Sequence, residues 1–94
     1  MVRVRIPSAM RTVVDGAGTV DVDASTVGEA LGALAAVHPA IGPRLFDDEG
    51  RLRRFVNVFV GDGDIRYHDG LATLVADGQT VSILPAVAGG AIGR

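Results

Sequence analysis

Val2, Val4 and Ile6 alternate with Arg3 and Arg5 ahead of Pro7, the two-residue period of a strand with one buried face. Val20 and Val22 alternate in the same way with Asp21 and Asp23 after the turn-forming run Asp15-Gly16-Ala17-Gly18, so a second strand pairs with the first as a hairpin. At Thr26 the period changes. Thr26-Val27-Gly28-Glu29 has capping-box spacing, in which the Thr hydroxyl accepts from the amide three residues on and the Glu side chain reaches back to the cap amide. Val27, Ala30, Leu31, Leu34 and Ala35 then form one apolar stripe, and Pro39 disfavours helical geometry at His38, which predicts a helix over 27–38.

Pro43, Asp47, Asp48 and Gly50 mark an irregular crossing segment with at most a short turn of helix, anchored by Leu45 and Phe46. Phe55-Val56-Asn57-Val58-Phe59-Val60 is the strongest strand signal, and Gly61-Asp62-Gly63-Asp64 predicts a tight hairpin turn after it. Ile65-Arg66-Tyr67 reads as a short edge strand, with Leu71 and Leu74 as anchors of a loop or single helical turn. After the Asp77-Gly78 turn, Val81 and Ile83 alternate with Ser82 and Leu84 until Pro85 stops the pairing. This order predicts an α+β domain, a mixed sheet of four to five strands with one main helix across one face. The connectivity fits a β-grasp, or ubiquitin-like, arrangement with the first and last strands parallel at the sheet centre. The domain is expected over 1–88, and 89–94 form a flexible tail.

The 94 residues suit one domain, in which folding removes roughly 60 to 65% of the chain's surface from water, so the apolar residues serve one core and leave little for a deep pocket. A 48% hydrophobic and 21% charged composition argues against disorder. No apolar run is long enough to span a bilayer and no signal-like h-region opens the chain, which predicts a cytoplasmic protein without a membrane partner. The net charge of -2 offers no basic footprint for nucleic acid. Cysteine is absent, which excludes disulfides, thiolate metal sites and cysteine nucleophiles. All nine basic side chains are arginine, so an acyl-activated chain end meets no lysine amine on its own surface.

Side-chain chemistry is sparse. His38 and His68 lack a partnering acid at catalytic or metal-ligand spacing. Asp62, Asp64 and Asp69 lack the glutamate that would complete a calcium loop, and Gly61-Asp62-Gly63 lacks the lysine and following helix of a phosphate loop. The three serines sit in no nucleophile-elbow context. Asp47-Asp48-Glu49 followed by Arg51, Arg53 and Arg54 reads as a solvated loop, with partner recognition as the alternative. No active site, metal or bound cofactor is therefore expected on the chain. The segment after Pro85 differs: Ala86, Val87, Ala88, Gly89 and Gly90 are small, and two residues without Cβ can thread a narrow channel to bring a backbone carboxylate to an adenylating site. Phe55 and Phe59 fall on the strand face opposite Val56, Val58 and Val60, which marks them either as a partner-binding face or as residues covered by the crossing segment or a second copy.

With those residues in place, the chain resembles the MoaD/ThiS family of β-grasp sulfur carriers over residues 1 to 90. The likeness lies in Ile83-Leu84-Pro85-Ala86-Val87-Ala88-Gly89-Gly90, Arg54-Phe55-Val56-Asn57-Val58-Phe59-Val60 and Gly70-Leu71-Ala72, and points to the branch serving thiocarboxylate-dependent cysteine biosynthesis. The resemblance implies that an E1-like adenylyltransferase/sulfurtransferase activates Gly90 with ATP, that a sulfur donor converts the adenylate to a thiocarboxylate, and that Gly89, Ala88 and Val87 thread the partner's channel. It further implies a pyridoxal-phosphate cysteine synthase that accepts the sulfur and a zinc-dependent JAMM-type metallopeptidase that frees cysteine, so these cofactors belong to partners. A molybdopterin-synthase small subunit or a thiamin-thiazole carrier shares the tail chemistry, and a ubiquitin-like interaction module that is never activated is the reading from another class. Family members commonly end at the diglycine, whereas Ala91-Ile92-Gly93-Arg94 follow here. Gly90 then has a free carboxylate only after hydrolysis of the Gly90–Ala91 bond, so either 91–94 are a removable extension or this copy has lost the carrier function.

Overall fold

The computed structural model describes residues 1–85; the expected domain end at 88 and the tail lie outside them. Strand β1 (Val2–Arg5) pairs antiparallel with β2 (Thr19–Val22), Val2 opposite Val22 and Val4 opposite Val20. Helix α1 (Val27–Val37) and the short α2 (Gly42–Leu45) follow. Strands β3 (Val56–Val60), β4 (Gly63–Asp64) and β5 (Thr80–Pro85) complete a five-stranded sheet in the order β2-β1-β5-β3-β4. β1 and β5 run parallel at its centre, as the valine-rich, short first and last strands predict.

The two-residue period of the strands sends Val2, Val4, Val58, Val81 and Ile83 to one face, where they are buried in one core with Val27, Ala30, Leu31 and Leu34 of α1. The helix begins at Thr26, whose Oγ1 accepts from the Glu29 N–H at 3.1 Å. The reciprocal bond differs from the expected one: the Ser25 N–H, one residue before the cap, donates to Glu29 Oε1 at 2.8 Å. α1 approaches the loop after β4 closely enough that a Cβ at Gly28 would lie 3.1 Å from the Leu71 carbonyl oxygen, so a residue without a side chain sits at the contact. Pro43 occupies the first turn of α2, where its missing N–H costs nothing, and Leu45 is buried as anticipated while Phe46 is partly so.

The hairpin of β1 and β2 is joined by Ser8–Val14, a 3₁₀ helix that inserts Met10 and Val14 into the core. Three local expectations are corrected. Gly61-Asp62 is the tight hairpin turn, with Gly61 at φ +57°, but the edge strand is only Gly63–Asp64. Ile65–Tyr67 is a 3₁₀ turn instead, because the Asp64 carboxylate accepts from the Arg66 N–H at 2.9 Å and coils the chain away from the ladder. Leu71 packs on the core, whereas Leu74 is 75% exposed and Val75 is buried in its place. The Val75 N–H donates to the Ser25 carbonyl and the Val27 N–H to the Thr73 carbonyl, both at 2.9 Å, and this antiparallel register turns Leu74 outward. Finally, Phe55 precedes β3 in a turn closed by the Val56 N–H on the Arg53 carbonyl at 3.0 Å.

Candidate functional site

The tail Val87, Ala88, Gly89, Gly90 and Ala91 lies outside the described residues, and the base from which it follows lies within them. That base is β5. Its residues Thr80, Val81 and Ser82 are matched in parallel by Arg3, Val4 and Arg5 of β1, and on the other side it pairs with the whole of β3, Val56 facing Pro85. β5 is thus a central strand, held by β1 as far as Ser82 and by β3 through to Pro85. Pro85, with no N–H to donate, is the last described residue of the ladder.

Two recesses flank this end of β5, the tail exit. One, about 390 Å³ and open to solvent, lies between β1 and β5 and is lined by Arg5, Ser8, Arg11, Leu84 and Pro85 among others. The second is lined by Leu52, Arg53, Arg54, Val56 and Arg66. Arg11 is fixed by donation from its Nε to the Ile6 carbonyl at 3.1 Å, and Arg53 by donation from Nε to the Pro43 carbonyl at 2.7 Å. Arg66 grips Asp64 through Nη2 at 3.0 Å, and this side-chain bond, joined by the Arg66 backbone N–H, holds the Asp64 carboxyl below the ordinary carboxylate value.

The face opposite α1 starts at the same exit. Phe59 is half-buried there, between Ser82 of β5 and Asp64 of β4. Leu84, opposite Asn57 and diagonal to Phe59 in the ladder, is 48% exposed. Phe55 is 59% exposed but reaches the surface from the turn before β3, not from the strand face. Of the two aromatic residues singled out in the sequence, Phe59 thus lies on the open sheet face and Phe55 at its border. Arg5 and Arg11 were not singled out, while Leu84 and Arg54 were read only as parts of longer motifs. The signal for Leu84 was present in its alternation with Ile83, whereas the placement of the arginines depends on register.

The histidines do not converge: His38 Nδ1 lies 3.9 Å from Asp15 Oδ2, and His68 sits over Gly63 of the hairpin. Among the described residues no three His, Asp or Glu side chains are placed to hold a metal ion, and no helix is long and apolar enough to cross a membrane. What remains is an arginine-flanked, partly apolar surface around a central-strand exit that leads in sequence to Gly89-Gly90.

The ThiS family pattern matches residues 4–90, beginning in β1 and ending at the second glycine of the pair. The chain belongs to the ThiS family. It is 45% identical over 91 residues to the sulfur carrier protein CysO of Mycobacterium tuberculosis, covering 95% of this chain and 98% of that protein. CysO in the crystal structure of the Amycolatopsis orientalis BexX/CysO complex superposes with a TM-score of 0.88 at 43% identity, over 95% of this chain and 99% of that one. The crystal structure of M. tuberculosis CysO gives 0.86 at 43% identity, over 93% and 100%. The β-grasp reading of the fold and the MoaD/ThiS resemblance are both borne out. In this ThiS-family chain, Ala91-Ile92-Gly93-Arg94 lie beyond the matched span.

Proposed function

We propose that this chain is a sulfur carrier that works through the carboxyl of Gly90 and delivers sulfide for cysteine biosynthesis. The observation that supports this most directly is the coincidence of three positions: the central strand β5 is described as far as Pro85, Gly89-Gly90 follow within five residues, and the ThiS family match stops at Gly90. The chemistry balances without a side chain. The Gly90 carboxylate attacks the α-phosphorus of ATP and displaces pyrophosphate, giving an acyl-adenylate. A sulfide donor then attacks the acyl carbon and displaces AMP, leaving a thiocarboxylate. An E1-like enzyme would perform the adenylation, a pyridoxal-phosphate cysteine synthase would accept the sulfur, and a zinc-dependent JAMM-type metallopeptidase would release the cysteine. In this reading the protein is a co-substrate, and the threading residues Val87, Ala88 and Gly89 serve reach, not catalysis.

An amide carbonyl between Gly90 and Ala91 has no carboxylate to adenylate, so hydrolysis of that bond precedes activation. The identity to CysO favours the cysteine route over the molybdopterin and thiazole routes, which would use the same tail. The test is intact mass measurement after incubation with ATP, sulfide and the E1-like enzyme. A chain ending at Gly90 should gain the mass of one oxygen replaced by sulfur, and the chain ending at Arg94 should not. No adenylate or thiocarboxylate on the shorter chain would overturn the proposal in favour of an interaction module that is never activated.

A further inference from the structure

Charge is unevenly divided between the two ends of the sheet. At the tail exit, Arg5 and Arg11 line one recess beside Pro85, and Arg53, Arg54 and Arg66 line the other beside Val56, which pairs with Pro85. Arg66 is compensated by Asp64, and Asp48 shares a further cleft with Arg53. Among the described ion pairs, Arg5, Arg11 and Arg54 have no carboxylate partner. At the opposite end, where β1 and β5 begin, the order is reversed. Arg3 is paired with Asp21 and the Met1 ammonium with Asp77, while Asp23 follows β2 and Asp62 occupies the β3–β4 turn, both exposed and without a cationic partner among those ion pairs. A chain of net charge -2 thus presents uncompensated cations around its tail exit and uncompensated anions at the far end.

We propose that the arginines of the tail exit dock this chain on an acidic protein surface, at the mouth of the channel of the enzyme that activates it, with Leu84 and Phe59 supplying apolar contact beside them. The proposal rests on the proposed activation for the identity of the partner. Arginine suits the role, because its planar fork pairs with carboxylates through two hydrogen bonds and its weak hydration lowers the cost of burial. The far acidic end adds a repulsive element: an inverted approach sets Asp23 and Asp62 against the acidic mouth. The net negative charge opposes docking on a polyanion such as nucleic acid, while a localised acidic rim meets the cations alone. The effect falls mainly on encounter rate and depends on ionic strength.

The test measures association of the chain ending at Gly90 with the E1-like enzyme of the same organism, without ATP, by stopped flow at low salt and at high salt. Arg5→Glu combined with Arg54→Glu should lower the association rate constant by about tenfold or more at low salt, and the gap should close at high salt. Asp23→Lys combined with Asp62→Lys should leave the rate unchanged or raise it. Circular dichroism confirms that each variant is folded, and Arg5→Lys with Arg54→Lys should retain most of the rate. Association that ignores salt, or that falls equally in both double variants, overturns the proposal, as does no association. Adenylation is scored separately on the same proteins: salt-dependent, arginine-dependent association without adenylation upholds the docking surface and removes the sulfur-carrier reading, and adenylation with charge-independent association does the reverse.

Discussion

A methyl group decides two positions in this chain for different reasons. At Gly28, Cβ would press on the Leu71 carbonyl within the fold. At Gly90 the constraint comes from the channel that the tail is proposed to thread. Gly90→Ala, made in a chain ending at position 90, should leave the unfolding midpoint unchanged because the core runs from Val2 to Ile83. Adenylation should slow strongly, since the methyl enters where the channel is narrowest. Wild-type adenylation rates in that variant would remove the threading argument. A second prediction concerns Asp64, whose carboxyl is held below its ordinary value, first by the Arg66 side chain and then by its N–H. A depressed carboxyl contributes stability that is present above the unfolded value, near about pH 4, and lost as pH falls through the lower folded value. Asp64→Asn should therefore lower stability at neutral pH and flatten the loss of stability as pH falls through the acid range. Chemical denaturation at stepped pH checks this, and parallel acid limbs in the two proteins would contradict it.

Among the elements, α1 depends on its first turn. Thr26 Oγ1 satisfies the Glu29 N–H and Glu29 satisfies the Ser25 N–H, so Thr26→Ala should cost about 1 kcal/mol. Urea melts with an unchanged slope would register it, and a loss near zero would mean that the stripe Val27, Ala30, Leu31 and Leu34 alone holds the helix. Leu31 is fully buried, and Leu31→Ala should cost about 2 to 5 kcal/mol, depending on how far the sheet face relaxes into the space. The strands follow the same logic of partial legibility. Their alternating valines announced the buried face, but Ile65–Tyr67 shared that apolar character and coiled into a 3₁₀ turn because Asp64 turned its carboxylate onto the Arg66 amide. A side-chain bond of this kind is invisible in periodicity, since it depends on where the hairpin leaves Asp64.

At the scale of the whole molecule, all the buried apolar residues described lie before Pro85, so cleavage after Gly90 need not disturb the core. Intact mass measurement on protein from the native cell should find chains lacking 91–94, some with a terminal oxygen replaced by sulfur. Only full-length protein, in sulfur-replete and sulfur-starved cells alike, would defeat the proposed processing. Local pattern and chemistry determined much about this protein by themselves: period two in β1, β2, β3 and β5, period 3.6 in α1, the cap at Thr26, the hairpin at Gly61 and the diglycine. Each depends on residues close in sequence, whose periodicity reports which side faces the core. Tertiary structure alone decided which 3₁₀ segments fill the remaining core, placing Met10 and Val14 inside and exchanging Leu74 for Val75. It also decided that Arg5, Arg11 and Arg54, 49 positions apart from first to last, meet around one exit. That convergence comes from pairing β5 parallel to β1 and antiparallel to β3, a register set by burying one face of all three strands at once.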